Sequence, residues 1–392
     1  MYRRLLEDQL KYWLKSERQK VIILYGARQV GKTTLARKVA GEIEPNYSYI
    51  DCGDLLNQNI LNSRSIQELR NFVGDSKLLI LDEGQEVEHI GIALKLIHDH
   101  IPQVRVLVTG SSSFELANKV SEPLTGRNVK LELFPLSLKE LSQSQNMFTL
   151  ASKFNTIMRF GTYPDVVDLG ESLAIKTLKD ILNDYIYKDT LRLADVRKPL
   201  QFKDLLVVLA NSIGQTTTYN DLGRKIGADR ETVERYIDVL EKAFIIKRLR
   251  PLHRSHVREI MHPFKIYFYD LGVRNALIGE YKPLNLRSGN EIGAMWENFC
   301  IIERMKLNEY GNSEKEETQF GIHKNYYFWR TSEPVPKEYD LIEDYNGEFE
   351  VYEMKWSQKK ESQVKKYPIF FETYPKSKLS VIHNENWWQY LV

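Results

Sequence analysis

Residues 21–34 read VIILYGARQVGKTT. The apolar run from Val21 to Leu24 suits a strand buried on both faces. It leads into Gly26, four residues, then Gly31, Lys32 and Thr33, the full G-x-x-x-x-G-K-[ST] spacing. Leu35 and Val39 then fall on one side of a following helix. Glycines let such a loop turn its backbone N–H groups inward around a phosphate. The helix behind it points its positive end at the same anion. Lys32 reaches the terminal phosphates, and the Thr33 hydroxyl is a hard oxygen suited to Mg²⁺. The spacing predicts a phosphate cradle made of Gly26, Ala27, Arg28, Gln29, Val30, Gly31, Lys32, Thr33 and Thr34.

Two further strands support it. In KLLILDE, Leu78 to Leu81 are apolar and end on Asp82 and Glu83. A carboxylate emerging there, beside the loop, is placed to hold Mg²⁺, and Glu83 to polarise an attacking water. In VRVLVTGSSS, Thr109, Ser111 and Ser112 stand at a strand's C-terminal end, where α/β sheets bind ligands. They read either as a γ-phosphate sensor or as a turn that caps the next helix. Arg127, in LTGRNVKLEL, reads as an arginine finger offered to a neighbouring nucleotide in trans or as an ordinary surface arginine.

Size and composition set wide limits. The 392 residues allow several domains, and 42% hydrophobic with 28% charged residues is ordinary for a globular chain. A net charge of +2 makes no demand for a polyanionic partner, so nucleic-acid contact would need local patches. Cys52 and Cys300 show no metal-binding spacing and read as reduced thiols. The charged opening MYRRLLEDQLKYWLKSERQK is not a signal peptide, and no apolar run reaches membrane-spanning length. A cytoplasmic protein without a membrane partner is expected.

From about Leu150 to Ala210 the chain reads as helices, with Ile181, Leu182, Tyr185 and Ile186 at helical spacing. Thr218 with Asp221 predicts a capped helix, Gly227-Ala228 a turn, and Asp229 the cap of a second helix. The second helix would turn Val233, Tyr236, Ile237, Leu240 and Ala243 inward. A strand, FIIKRL, follows, completing a helix-turn-helix with a wing. The second helix exposes Arg230 and Arg235 but also Glu231, Glu234, Asp238 and Glu241, which would repel phosphates. The basic run Lys247, Arg248, Arg250, His253, Arg254, Arg258 and Lys265 reads as a solvated linker and wing edge or, equally between the two, as a protein-docking or a non-specific DNA-contacting stretch.

Near the C-terminus, KEYDLIEDYNGEFEVYEMKW has Asn346-Gly347 as a two-residue hairpin turn. In that register Asp340 faces Glu353 and Glu338 faces Lys355. Two carboxylates opposed on one face repel unless a divalent cation lies between them. The other reading is a hairpin held by a Glu338–Lys355 salt bridge. The segment GAMWENFCIIERMK supplies Glu297 from a helix with Met295, Phe299, Ile302 and Met305 on its packed face.

The combination GARQVGKTT, LDEGQEV, VTGSSS and LTGR…LFPLSLKEL resembles a prokaryotic subfamily of AAA+-type P-loop ATPases. That resemblance implies an α/β chain in four parts. They are a parallel-sheet ATPase domain over 1–145, a helical lid over 146–205, a winged helix over 206–255, and a restriction-nuclease-like α/β domain over 256–392. Asp340 with Glu353-Met354-Lys355 is similar to the PD-(D/E)XK nuclease core, although no proline directly precedes Asp340. The resemblance implies ATP and Mg²⁺ as cofactors. It also implies a second Mg²⁺ or Mn²⁺ held by Glu297, Asp340 and Glu353, with Lys355 assisting. The expected activity is ATP hydrolysis controlling a DNA-directed nuclease-like domain, the alternative being a nucleotide-gated switch that binds DNA or protein without cutting. A protein partner at the winged helix and a homo-oligomer joined through Arg127 go with it.

Overall fold

The run Val21–Tyr25 forms strand β1 and is buried along its whole length. This is a computed structural model, and it describes residues 2–110, 124–183, 198–253, 263–311 and 324–392. Ser111, Ser112, Tyr185, Ile186, Arg254 and Arg258 lie outside the described residues. The chain divides into two compact units. The first runs to Pro135 and takes in Lys242–Phe244; the second comprises Leu136–Glu241 and Ile245–Val392.

In the first unit β1 is joined by β2 (Ser48–Asp51), β3 (Leu78–Asp82), β4 (Arg105–Gly110) and β5 (Asn128–Glu132), in the order β2-β3-β4-β1-β5. Every pairing is parallel. Parallel strands need crossover connections, and helices supply most of them: α2 (Lys32–Ile43), α3 (Leu55–Asn62), α4 (Ile66–Val73) and α5 (Ile90–His100). Helix α1 (Leu6–Lys15) precedes β1. The apolar strands β1 and β3, buried end to end, force helices onto both faces. The order puts β4 between β1 and β3, so the loop after β1 and the carboxylates ending β3 share the sheet's C-terminal edge.

In the second unit, helices Met147–Ser152, Phe154–Phe160, Glu171–Ile181 and Pro199–Asn211 occupy the stretch read as a lid. Ile181 and Leu182 are buried there, as their spacing predicts. Helices Tyr219–Ile226 and Arg230–Lys242 form with the expected caps: the Asp221 amide donates to the Thr218 hydroxyl at 3.1 Å, and the Thr232 amide to Asp229 at 2.8 Å. The strand read as a wing, β6 (Ile246–Pro251), does not end a separate module. It pairs antiparallel with β7 (Lys265–Phe268) and in parallel with β8 (Asn325–Arg330). These continue into β9 (Glu338–Tyr345), β10 (Glu348–Met354) and β11 (Lys378–Ile382), so one mixed sheet with the order β11-β10-β9-β8-β6-β7 spans the expected boundary at residue 255. The physical reason is ladder pairing: buried Ile246 and Leu249 belong to a strand whose two edges both need partners.

The Asn346-Gly347 turn forms as read, with φ of 54° and 83°, the left-handed pair a tight hairpin requires. Helix Gly289–Tyr310 buries Met295, Phe299, Ile302 and Met305, the face expected from sequence.

Candidate functional site

The loop after β1 is fixed at both ends. A Cβ at Gly26 (φ +154°) would stand 2.2 Å from the Leu133 carbonyl oxygen, so only glycine fits there. At the apex, Arg4, which precedes α1, donates to the Val30 carbonyl at 2.6 Å and to the Phe134 carbonyl at 2.5 Å. Lys32 opens α2 and is buried, its ammonium donating to the carbonyls of Gly26 at 3.0 Å and Ala27 at 2.8 Å. Burial lowers the Lys32 pKa to about 8, with Glu83 and Asp82 pulling the other way.

Asp82, at the end of β3, collects hydroxyls. Thr33 donates to its two oxygens at 3.0 and 2.9 Å, and Tyr49 from β2 donates at 2.5 Å. Thr109 from β4 also donates to it, while accepting the Glu83 amide at 3.2 Å. Burial raises the Tyr49 phenol, and its bond to Asp82 raises it further. A threonine hydroxyl and a carboxylate at 3 Å are hard oxygen donors that fit Mg²⁺. Glu83 sits in the left-handed region (φ +54°), and its carboxylate accepts from Gln85. Thr109 therefore orients Asp82 and Glu83 and is not a free hydroxyl at the edge. Arg127 donates to Asp99 of α5 at 2.9 Å and is partly exposed.

The second cluster lies in the second unit. Tyr267 and Lys265, two apart on β7, donate to Glu297 at 2.6 and 3.0 Å, and Lys265 also meets Glu338 at 2.6 Å. Lys355 donates to Glu353 at 2.5 Å. The hairpin keeps the expected register from Tyr345–Glu348 to Leu341–Tyr352, where its ladder ends. The buried Asp340 carboxylate takes the Met354 amide at 2.8 Å, while β10 pairs Glu353 with Val381 of β11. The ladder closes one position before Asp340 and Glu353 would meet, and the alternative Glu338–Lys355 bridge does not form, because Glu338 is engaged by Lys265 and Arg330.

Electrostatics still tie the group together. Burial and then Asp340 push Glu353 up to about 8. Burial raises Glu297 to about 7, with Lys265 opposing and Asp340 adding to the rise. Burial disfavours the Lys265 charge, but Tyr267, Glu297, Asp340 and Glu338 outweigh it and hold its pKa well above the ordinary value. Among the described residues no group of three or more His, Cys, Asp or Glu could hold a metal ion. The expected ligand set Glu297, Asp340 and Glu353 is laced instead with two lysines that supply positive charge internally.

Lys265, the last member of the basic run, is 2% exposed and not a surface charge. Arg248, also read there, is held by Tyr219, Asp238 and Glu241. Arg4, Tyr49, Lys265 and Tyr267 are site residues that sequence reasoning missed. The alternation of Lys265 and Tyr267 in KIYFYD was a readable sign of a shared face; Arg4 and Tyr49 carried no local signal.

Residues 18–142 match a family model described as an AAA domain, and residues 151–284 match a domain of unknown function. The first match supports an AAA-type P-loop ATPase family for that segment. The second covers parts of the expected lid, winged helix and nuclease-like domain. An uncharacterized protein of Mycobacterium tuberculosis is 26% identical over 340 residues, which is 86% of this chain and 70% of that one. An uncharacterized protein of Methanocaldococcus jannaschii is 24% identical over 328 residues, 78% of this chain and 70% of that one. Among solved structures, the RuvB Holliday junction branch migration motor of Thermotoga maritima aligns at 18% identity with a TM-score of 0.34, over 66% of this chain and 94% of that one. Likeness at that level carries no argument about function.

Proposed function

We propose, starting from an AAA-type domain over residues 18–142, that the chain is a Mg²⁺-dependent ATPase. The observation that carries the reading is the pair of contacts from Thr33 to both Asp82 oxygens, beside a loop whose lysine is buried within it. Residues 26–34 bind the phosphates through backbone amides, and Lys32 exchanges its two carbonyl partners for phosphate oxygens. Thr33 and Asp82 hold Mg²⁺, which when bound neutralises charge on the phosphoryl oxygens. Glu83, released from Gln85, takes a proton from the attacking water as the bond to the γ-phosphorus forms and the β–γ bridge breaks. Ser111 as a sensor and Arg127 as a finger in trans belong to this reading; Arg127 would first have to leave Asp99, and a homo-oligomer follows from that role.

Fluorescent-ATP binding and phosphate release test it. Lys32→Ala should lose binding and turnover, and Glu83→Gln should bind while turning over at least about a hundredfold more slowly. Undiminished turnover in Lys32→Ala would defeat the assignment. Slow turnover with tight retention of nucleotide would favour the nucleotide-gated switch.

A second reading concerns the second unit. Glu297, Asp340, Glu353 and Lys355 influence one another electrostatically, which supports a nuclease-like, DNA-directed effector under nucleotide control. A divalent cation there would have to displace Lys265 or Lys355, and for that reason a domain that binds DNA or protein without cleaving stays the alternative. The test is pure protein with DNA or RNA, Mg²⁺ or Mn²⁺, with and without ATP. Cleavage abolished by Asp340→Ala supports the nuclease; cleavage untouched by that change, or none at all, removes it.

A further inference from the structure

Arg4 stands ahead of the matched AAA segment, yet its guanidinium reaches the phosphate loop. It is buried, and its two terminal nitrogens donate separately to Val30 at the loop's apex and to Phe134 just beyond β5. Val30 is itself fully buried, so its carbonyl has no water to bond. A loop whose amides face a phosphate must turn carbonyls outward, and a buried outward carbonyl needs a donor. Arg4 is that donor. The Arg4 amide donates to Glu7 at 3.1 Å, and Glu7 accepts from Lys38 of α2 at 2.7 Å. One turn further along α1, Lys11 meets Glu42 of α2 at 2.6 Å. The segment around α1 is thus tied to the loop's apex and along the helix that follows it.

We infer that Arg4 is a positioning residue for the nucleotide site, locking the apex of the 26–33 loop against the strand exit at Phe134 so that the loop is shaped before phosphate arrives. The inference rests on the ATP-binding reading above. A guanidinium spans two carbonyls with a rigid fork, whereas a lysine ammonium is a point charge on a flexible stem. Lysine at this position should therefore restore only part of the effect.

The test uses the full chain and a fluorescent ATP analogue, with turnover measured in parallel. Arg4→Met should raise Kd and KM about tenfold or more, the order of a lost charge-assisted hydrogen bond, and leave kcat within about threefold. Arg4→Lys should fall between Arg4→Met and the unmodified chain. Lys11→Met, which breaks an α1–α2 pair without touching the loop, should lower the melting temperature slightly and leave Kd unchanged. An unchanged Kd in a folded Arg4→Met overturns the inference, as does the same shift in Lys11→Met. If Arg4→Met does not fold, Arg4→Lys decides, and an unmoved Kd there overturns it. Failure of the unmodified chain to bind nucleotide overturns the ATP-binding reading itself, and this inference with it.

Discussion

Asp82 accepts from Thr33, Tyr49 and Thr109 at once, so its orientation is set by helix α2 and by two strands of the sheet. Groups that orient a metal-holding carboxylate commonly matter about tenfold or more to metal affinity. Tyr49→Phe should therefore raise the Mg²⁺ needed for half-maximal turnover by roughly tenfold, in a titration at fixed ATP. Lys32 gives a second residue-scale outcome. Its pKa in the free protein is lowered to about 8, and a bound triphosphate stabilises the charged form and raises it. Below pH 8 the lysine is already charged, and affinity should be flat. Above it, binding must take up a proton, and Kd should weaken by up to about tenfold per pH unit. A Kd independent of pH from 7 to 9.5 would place Lys32 away from the phosphates.

Elements are joined where a single atom leaves no room. The contact of Gly26 with the Leu133 carbonyl locks the loop after β1 to the exit of β5. Gly26→Ala should cost about 2–4 kcal/mol in denaturant unfolding, if it folds, because backbone must move on both sides. The cap at Thr218 is an ordinary element-scale term: Thr218→Ala should cost about 1 kcal/mol. In the C-terminal hairpin the Asn346-Gly347 turn sets the register for five pairs, and then a side chain takes over. By accepting the Met354 amide, Asp340 takes the donor that the next ladder bond to β9 would use, while β10 stays paired with β11 from Glu350 to Met354. Asp340 and Glu353 then influence each other just past the end of that ladder.

At the scale of the whole chain, the second unit carries its own pH signature. Glu353 at about 8 and Glu297 at about 7 are both raised above the ordinary carboxyl value of 4.5. A raised folded pKa gives stability that is complete below the unfolded pKa and is lost as pH rises through the folded one. The melting temperature of this unit should fall between about pH 4.5 and pH 8, and Glu353→Gln should flatten the fall. At pH 9 the variant should melt about 3 °C or more above the unmodified chain in calorimetry. An equal pH slope in both proteins would show that Glu353 titrates normally. Among the described residues no helix is long and apolar enough to cross a membrane.

Local spacing was enough to place the loop between β1 and α2, the strand ending on Asp82 and Glu83, both caps in the helix pair and the hairpin turn, because each is made by residues within a few positions of one another. The buried face of helix Gly289–Tyr310 was legible for the same reason, as a 3.6-residue stripe. What connects distant segments was not legible: Arg4 on Val30, Tyr49 on Asp82, Lys265 between Glu297 and Glu338, and β6 as a strand of the larger sheet. A buried carbonyl, carboxylate or strand edge must find a partner somewhere, but periodicity along the chain does not say which remote residue provides it. Only the packed structure decides that, since the partner is chosen by proximity in space after the strands have paired.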